Sequence, residues 1–189
     1  MLLGSINEEI EKIENYAEQV LYYARSNNVE KDYIIKKVLL SDIINNVIKK
    51  NKKSLISKNI SINIDNLNEY VNTDLKWIEY IINQIIINSI KYSKPDNNSI
   101  NIFSNKNNDS ISLHIKDSGI GIKSKNLSKV FDKGFTGENG RIIKESTGMG
   151  LYLCKKLCDK LNHNILINSN GIGVEVIIVF PINSFVENV

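Results

Sequence analysis

Three short stretches combine residue types that can hold a polyanion and a polar ring. In the first, NQIIINSIKYS, Gln84, Asn88 and Lys91 recur at i, i+4 and i+7, and Tyr92 follows. On a helix that spacing puts two amides and an ammonium on one stripe, beside an apolar face of Ile78, Ile81, Ile82, Ile85 and Ile86. An Asn carbonyl, with phosphate oxygens and water, suits magnesium, which takes hard oxygen ligands. Taken alone, a solvated polar face explains the stripe more economically. The second stretch, Asp117-Ser118-Gly119-Ile120-Gly121, directly follows a strand pattern. Its glycines allow close backbone approach, and an Asp at a strand's end can accept from an exocyclic amine such as adenine's. A turn that binds nothing explains it as well. The third, Ser146-Thr147-Gly148-Met149-Gly150-Leu151, opens a helical pattern, and unobstructed N–H groups at a helix start favour phosphate. It matches neither the GxxxxGKS/T loop nor GxGxxG, and a plain helix cap is the alternative. Between the last two lies FDKGFTG, residues 131–137, with two aromatics and Lys133.

The elements that must carry these stretches follow from periodicity. Ile6, Ile10, Ile13, Ala17, Val20, Leu21 and Ala24 predict an amphipathic helix over 6–27, which must pack on something to be stable. It would pack on the main domain or form half of a helical hairpin. Residues 33–40 read as a strand and 41–57 as a helix with Ile43, Ile44, Val47 and Ile48 inward. Ile60, Ile62 and Ile64 alternate as in a half-buried strand. Asn72, Thr73 and Asp74 each offer an N-cap for a long helix reaching Tyr92. Ile100 and Ile102, an Asn-rich turn at 105–109, then Ile111, Leu113 and Ile115 form a hairpin pattern. Residues 118–147 lack periodicity and are too long for an ordinary connection, which marks a functional loop. A helix over 150–161 and a hairpin of 164–169 and 173–180, turning at Asn170-Gly171, complete the order. That order is helix, strand, helix, two strands, helix, two strands, long loop, helix, two strands. It predicts an α+β fold, a two-layer sandwich of mixed sheet and helices.

Composition excludes several classes. The 24 basic and 21 acidic residues nearly balance, so neither nucleic acid nor an anionic membrane is expected as an obligatory partner. No apolar run approaches the roughly 20 residues that span a bilayer, and the start is too short for a signal peptide. Two cysteines, Cys154 and Cys158, fit a reducing, cytoplasmic setting. With His163 they would make three metal ligands on a core-like helix, which is more often plain packing.

The three stretches in this order resemble the GHKL ATPase superfamily, which includes gyrase, large heat-shock chaperones, mismatch-repair ATPases and histidine kinases. Asn88 to Tyr92 resembles its N box, Asp117 to Gly121 the G1 box, Phe131 to Phe135 the F box and Gly148 to Leu151 the G2 box. The resemblance covers about residues 31–182. It implies ATP and magnesium as cofactors, with ATP under a lid formed by 118–147. It further implies that Asn88 ligates magnesium, Asp117 reads adenine, and Lys91 and the Gly148–Gly150 amides meet the phosphates. Tyr92, Gly119, Gly121, Ile122, Phe131, Thr147, Met149 and Leu151 would complete the nucleotide site. Gln84 departs from the Asn of many histidine kinases, and Ser146 stands where a glycine is often found.

Gln84 also separates the branches. The gyrase, chaperone and mismatch-repair branches place a Glu there as the base that activates water, and an amide cannot take that proton. Phosphoryl transfer to another nucleophile is therefore expected over hydrolysis. The helix from Glu8 to Arg25 resembles the second helix of the dimerisation and phosphotransfer hairpin of sensor histidine kinases, so 1–30 would be its remnant and 31–189 the catalytic domain. The first helix, with the phosphoacceptor histidine, is not in this chain. His114, mid-strand, and His163, after a helix, have no acidic sequence neighbour to serve as base and read as structural, so no catalytic residue is assigned. FDKGFTGENGR and STGMGLYL resemble the sensor kinases of low-GC Gram-positive bacteria that work with peptide-antibiotic transporters, which would make Lys133 and Arg141 lid cations. The implied whole is a homodimeric membrane protein with this part in the cytoplasm, alongside an ABC transporter and a cognate response regulator. A nucleotide-binding module without transfer and a serine kinase of the anti-sigma type are the alternatives.

Overall fold

A computed structural model describes residues 2–27, 33–137 and 147–182. The chain divides into two compact units, residues 1–32 and 33–189. The described residues of the first form one helix, α1 (Leu2–Asn27), on which Ile6, Ile10, Ile13, Val20 and Leu21 are exposed.

The second unit has a five-stranded mixed sheet. Its strands are β2 (Ile60–Asp65), β4 (Asn98–Lys106), β5 (Ser110–Asp117), β6 (Asn164–Asn168) and β7 (Glu175–Pro181), in the order β2-β4-β5-β7-β6. β2 runs parallel to β4 and the remaining pairs are antiparallel. Burial alternates along β4, β5 and β7, so Ile100, Ile102, Leu113, Ile115, Val176 and Ile178 share the buried face. α2 (Leu40–Ser57), α3 (Leu75–Lys91) and α5 (Gly150–Lys160) form the second layer, with α3 packed against both of the others. This is the expected α+β arrangement.

Two short strands, β1 (Lys36–Leu39) and β3 (Tyr70–Thr73), form a separate antiparallel pair. The strand predicted over 33–40 is therefore shorter, and Leu40 already belongs to α2. Asn72 and Thr73 close β3 instead of capping, which leaves Asp74 as the cap of α3. Its Oδ1 accepts from Trp77 N and its Oδ2 from Ile34 N, both at 2.8 Å, so one carboxylate starts the helix and ties down the segment before β1. The 118–147 stretch is not loop throughout, because a single helical turn, α4 (Ser124–Leu127), forms within it. Asparagine takes the positive-φ positions where glycine is usual: Asn59 follows α2 and Asn162 follows α5, at φ 51° and 57°. An asparagine-rich chain with only ten glycines thus still stops its helices sharply.

No helix among the described residues is long and apolar enough to cross a membrane.

Candidate functional site

α3 supplies the first wall. Its apolar side, Ile78, Ile81, Ile82, Ile85 and Ile86, is buried as its spacing predicts. The polar stripe is not a solvated face: Gln84 is 4% exposed, and Asn88, Lys91 and Tyr92 are half-buried. Gln84 Nε2 has no hydrogen-bond partner among the described residues, and Oε1 lies 3.0 Å from where a Cβ on Gly150 would stand. Gly150 therefore lets the start of α5 close onto the amide of α3. Cys154, one turn along, reaches Ile81 O at 3.7 Å, and Cys158 follows it into the core. Burial raises both thiols, Cys158 to about 12, so they stay protonated. Among the described residues no group of three His, Cys, Asp or Glu side chains could hold a metal, so Cys154, Cys158 and His163 form no metal centre.

The G1 loop is held on three sides. Ile120 N donates to Tyr92 O (3.1 Å) at the end of α3, and a Cβ on Gly119 would stand 2.6 Å from that same oxygen. Ser118 is tied to β4 by bonds between its N and Ser99 O (3.1 Å) and between Ser99 N and its Oγ (2.9 Å). The β6–β7 turn closes the third side: Asp117 N donates to Val174 O, Gly173 N to Gly119 O, and Ile122 N to Ser169 Oγ at 2.9 Å. Gly121 backs onto Gly171.

The Asp117 carboxylate sits inside this brace. Oδ1 accepts from Gly119 N (2.9 Å) and Val174 N (3.1 Å), and Oδ2 lies 3.1 Å from Ser89 Oγ. Burial raises its pKa, opposed by hydrogen bonds from Gly119, Ser89 and Val174 and by the charge of Lys94.

The F and G2 stretches meet at one point, where Gly134 N donates to Gly148 O at 3.0 Å. Gly148 has φ +67°, and a Cβ there would run into the Gly134 carbonyl carbon. Phe131 is half-buried and Lys133 exposed. Thr147 Oγ1 accepts from Met149 N (3.3 Å) just before α5, and Leu151 is half-buried in its first turn. Arg141 and Ser146 lie outside the described residues.

The sequence reading missed Ser89 and the bracing turn 169–174. Gly173, two beyond an Asn-Gly turn already sufficient for a hairpin, was the available signal for the turn. It also found no acidic neighbour for His114, whereas pairing across strands puts Glu175 Oε1 3.1 Å from His114 Nδ1, with Phe103 stacked on the ring at 4.6 Å. Sequence adjacency cannot show an acid that arrives from β7. His163 is 2% exposed, bonded through Nε2 to Thr73 Oγ1 at 3.0 Å.

The model of the histidine kinase-, DNA gyrase B- and HSP90-like ATPases matches residues 73–184, more than half of the chain. Sensor histidine kinase YxdK of Bacillus subtilis is 38% identical over 175 residues, which is 90% of this chain and 53% of that protein. Sensor protein kinase GraS of Staphylococcus aureus is 35% identical over 182 residues, 95% of this chain and 52% of that protein. The chain thus spans about half the length of the curated relatives it matches. Among solved structures, the Acinetobacter baumannii histidine kinase AdeS superposes with a TM-score of 0.76 at 21% identity, covering 96% of this chain and 84% of that one, a likeness of fold. With its N-box helix, braced G1 loop and G2 helix start in one unit, the chain belongs to the histidine kinase-, DNA gyrase B- and HSP90-like ATPase family.

Proposed function

We propose that this chain is the ATP-binding catalytic part of a sensor histidine kinase, passing the γ-phosphoryl of ATP to a histidine on a helical hairpin, for relay to a response regulator. The observation that carries the reading is the meeting of α3, the Asp117 loop and the start of α5 through Gly119 on Tyr92 and Gly150 on Gln84. An adenine amine would donate to Asp117, with Gly119, Gly121, Ile122 and Tyr92 around the ring. Lys91, Lys133 and the N–H groups of Gly148, Met149 and Gly150 would meet the phosphates, with Thr147 and Leu151 alongside. Phe131 would pack at the lid's edge, and Arg141 would join it as a cation.

Magnesium fits this donor set as a metal held mainly by phosphate and water, since the protein offers one amide oxygen, Asn88, and no acidic cluster among the described residues. Bound there, it would neutralise phosphate charge. In the transfer, the bond from the γ-phosphorus to the β–γ bridging oxygen breaks, a bond to the histidine nitrogen forms, ADP leaves, and the displaced imidazole proton goes to a base near the acceptor. Gln84 supports this over hydrolysis, because its amide cannot deprotonate water. His163 is too buried to be the acceptor. His114 does have Glu175 beside it, but its ring is stacked on Phe103, its Nε2 lies 3.1 Å from Ser112 Oγ and its side chain is only 15% exposed. α1, with its exposed apolar stripe, supports the reading of residues 1–30 as part of the hairpin. The lid phrases support a whole protein that is a membrane-anchored homodimer serving peptide-antibiotic resistance beside an ABC transporter.

Calorimetric titration with a non-hydrolysable ATP analogue, with and without magnesium, tests the site. Binding should require magnesium, and Asn88→Ala should weaken it by at least tenfold. Retained affinity in that variant contradicts the metal role. Brisk ATP hydrolysis by the isolated chain, or no phosphohistidine when the hairpin is supplied in trans, would count against the transferase reading.

A further inference from the structure

We propose that Ser89 sets the base preference of the nucleotide site, by holding Asp117 as an acceptor so that a purine amine is taken and a purine carbonyl refused. The inference rests on the nucleotide-binding reading above. Ser89 follows Asn88 on α3, is 5% exposed, and points its hydroxyl between two acceptors, Ile85 O at 3.2 Å and Asp117 Oδ2 at 3.1 Å. A hydroxyl has one proton, so it satisfies one of the two at a time. The Ile85 carbonyl is already in line for the helical N–H of Ser89, four residues on. The carboxylate is the stronger acceptor, since hydrogen bonds to charged groups are about twice as strong as neutral ones.

The three donors to Asp117 are unequal. Gly119 N and Val174 N are backbone groups fixed by the brace, and both go to Oδ1. Ser89 is the donor at Oδ2, and it is a rotor on a different element. With its proton on Oδ2, the carboxylate stays ionised and presents its remaining lone pairs to an incoming N–H. Without it, Oδ2 is left half-buried with one donor fewer, and a proton on the carboxyl becomes the cheaper way to satisfy it. A protonated Asp117 donates, and it would then pair with the carbonyl that guanine carries where adenine carries its amine. The hydroxyl therefore decides which face Asp117 shows to the base, although Ser89 need not touch the nucleotide. It is a positioning residue.

The experiment titrates the 189-residue chain with non-hydrolysable ATP and GTP analogues in magnesium, comparing wild type, Ser89→Ala and Ser89→Thr, with thermal melts to confirm folding. Wild type should prefer ATP. Ser89→Ala should lower the ATP-to-GTP affinity ratio by about tenfold, the scale of one hydrogen bond to a charged group. Ser89→Thr keeps the hydroxyl and should keep the ratio. If Ser89→Ala changes both affinities equally or not at all, or if Ser89→Thr loses the ratio as the alanine variant does, the inference is overturned while nucleotide binding stands. If wild type binds neither analogue, the nucleotide reading itself falls.

Discussion

The two glycine-bearing loops of the site are anchored by opposite strategies. The Asp117 loop is braced where it acts, by the end of α3, by β4 and by the β6–β7 turn, with backbone on all three sides. The Gly148 segment is pinned near its binding end by one backbone bond to Gly134 and leans on Gln84 through Gly150. Its firm anchorage lies at the far end of α5, where His163 is buried against Thr73 and Phe180. A base-reading group gains specificity from being fixed, whereas a phosphate-covering segment must admit its ligand. On the proposed reading, the contrast would put the firmer bracing at the planar, polar base and the fewer ties at the phosphates, where the ligand would enter.

Three changes test this contrast, beginning with the largest. Gly173→Ala forces a Cβ at φ +71° into the Asp117 carbonyl, and that brace cannot move without opening the β5–β7 end. It should cost about 3 kcal/mol or more in denaturant unfolding and abolish nucleotide binding with it. If the variant is as stable as wild type, the Asp117 loop is not rigidly held.

The second tests the remote anchor of α5. Burial lowers the His163 pKa from 6.5 to about 4. The unfolded chain therefore takes a proton below about 6.5 that the folded chain refuses until about 4, so protonation favours unfolding across that window. Stability should fall as pH drops through it, by roughly 3 kcal/mol in all, and the slope should flatten in His163→Gln. Stability curves of equal slope in the two proteins would remove His163 from the anchor.

The smallest effect on stability belongs to Gly148→Ala. Its φ of +67° costs a side chain about 1–2 kcal/mol, and the Gly134 backbone it meets lies in an exposed turn that can shift. The melting point should move by only a few degrees while affinity for an ATP analogue falls about tenfold. A loss of stability as large as that of Gly173→Ala would erase the distinction between the two loops.

The site was partly legible because glycines and amides leave local signatures. Asp117, Gly119 and Gly121 stand out as a strand-ending cluster, and Gly148 and Gly150 as a helix start, so their ranges could be fixed before any contact was known. Ser89 was not legible, since a serine in a helix has no signature until an acceptor from another element arrives beside it. The same holds for Glu175 on His114, which meets it 61 residues away in sequence. β1 was placed too long and β3 was given no range, because short, half-exposed strands carry little alternation and the cap at Asp74 competed with two equally suitable neighbours, Asn72 and Thr73, that belong to β3.

The sequence by itself determined the elements: hydrophobic periods of about 3.6 and 2 specify helix and strand wherever one face is buried, and the order of those periods specified an α+β fold. It determined as well that Gln84 cannot act as a base, which is a matter of chemical type. Only the tertiary structure decided that Gln84 is buried and the rest of its stripe half-buried, that the β6–β7 turn braces Asp117, and that Ser89 reaches its carboxylate. Those outcomes depend on distances between residues far apart in the chain, and periodicity records which side of an element is buried but not what covers it.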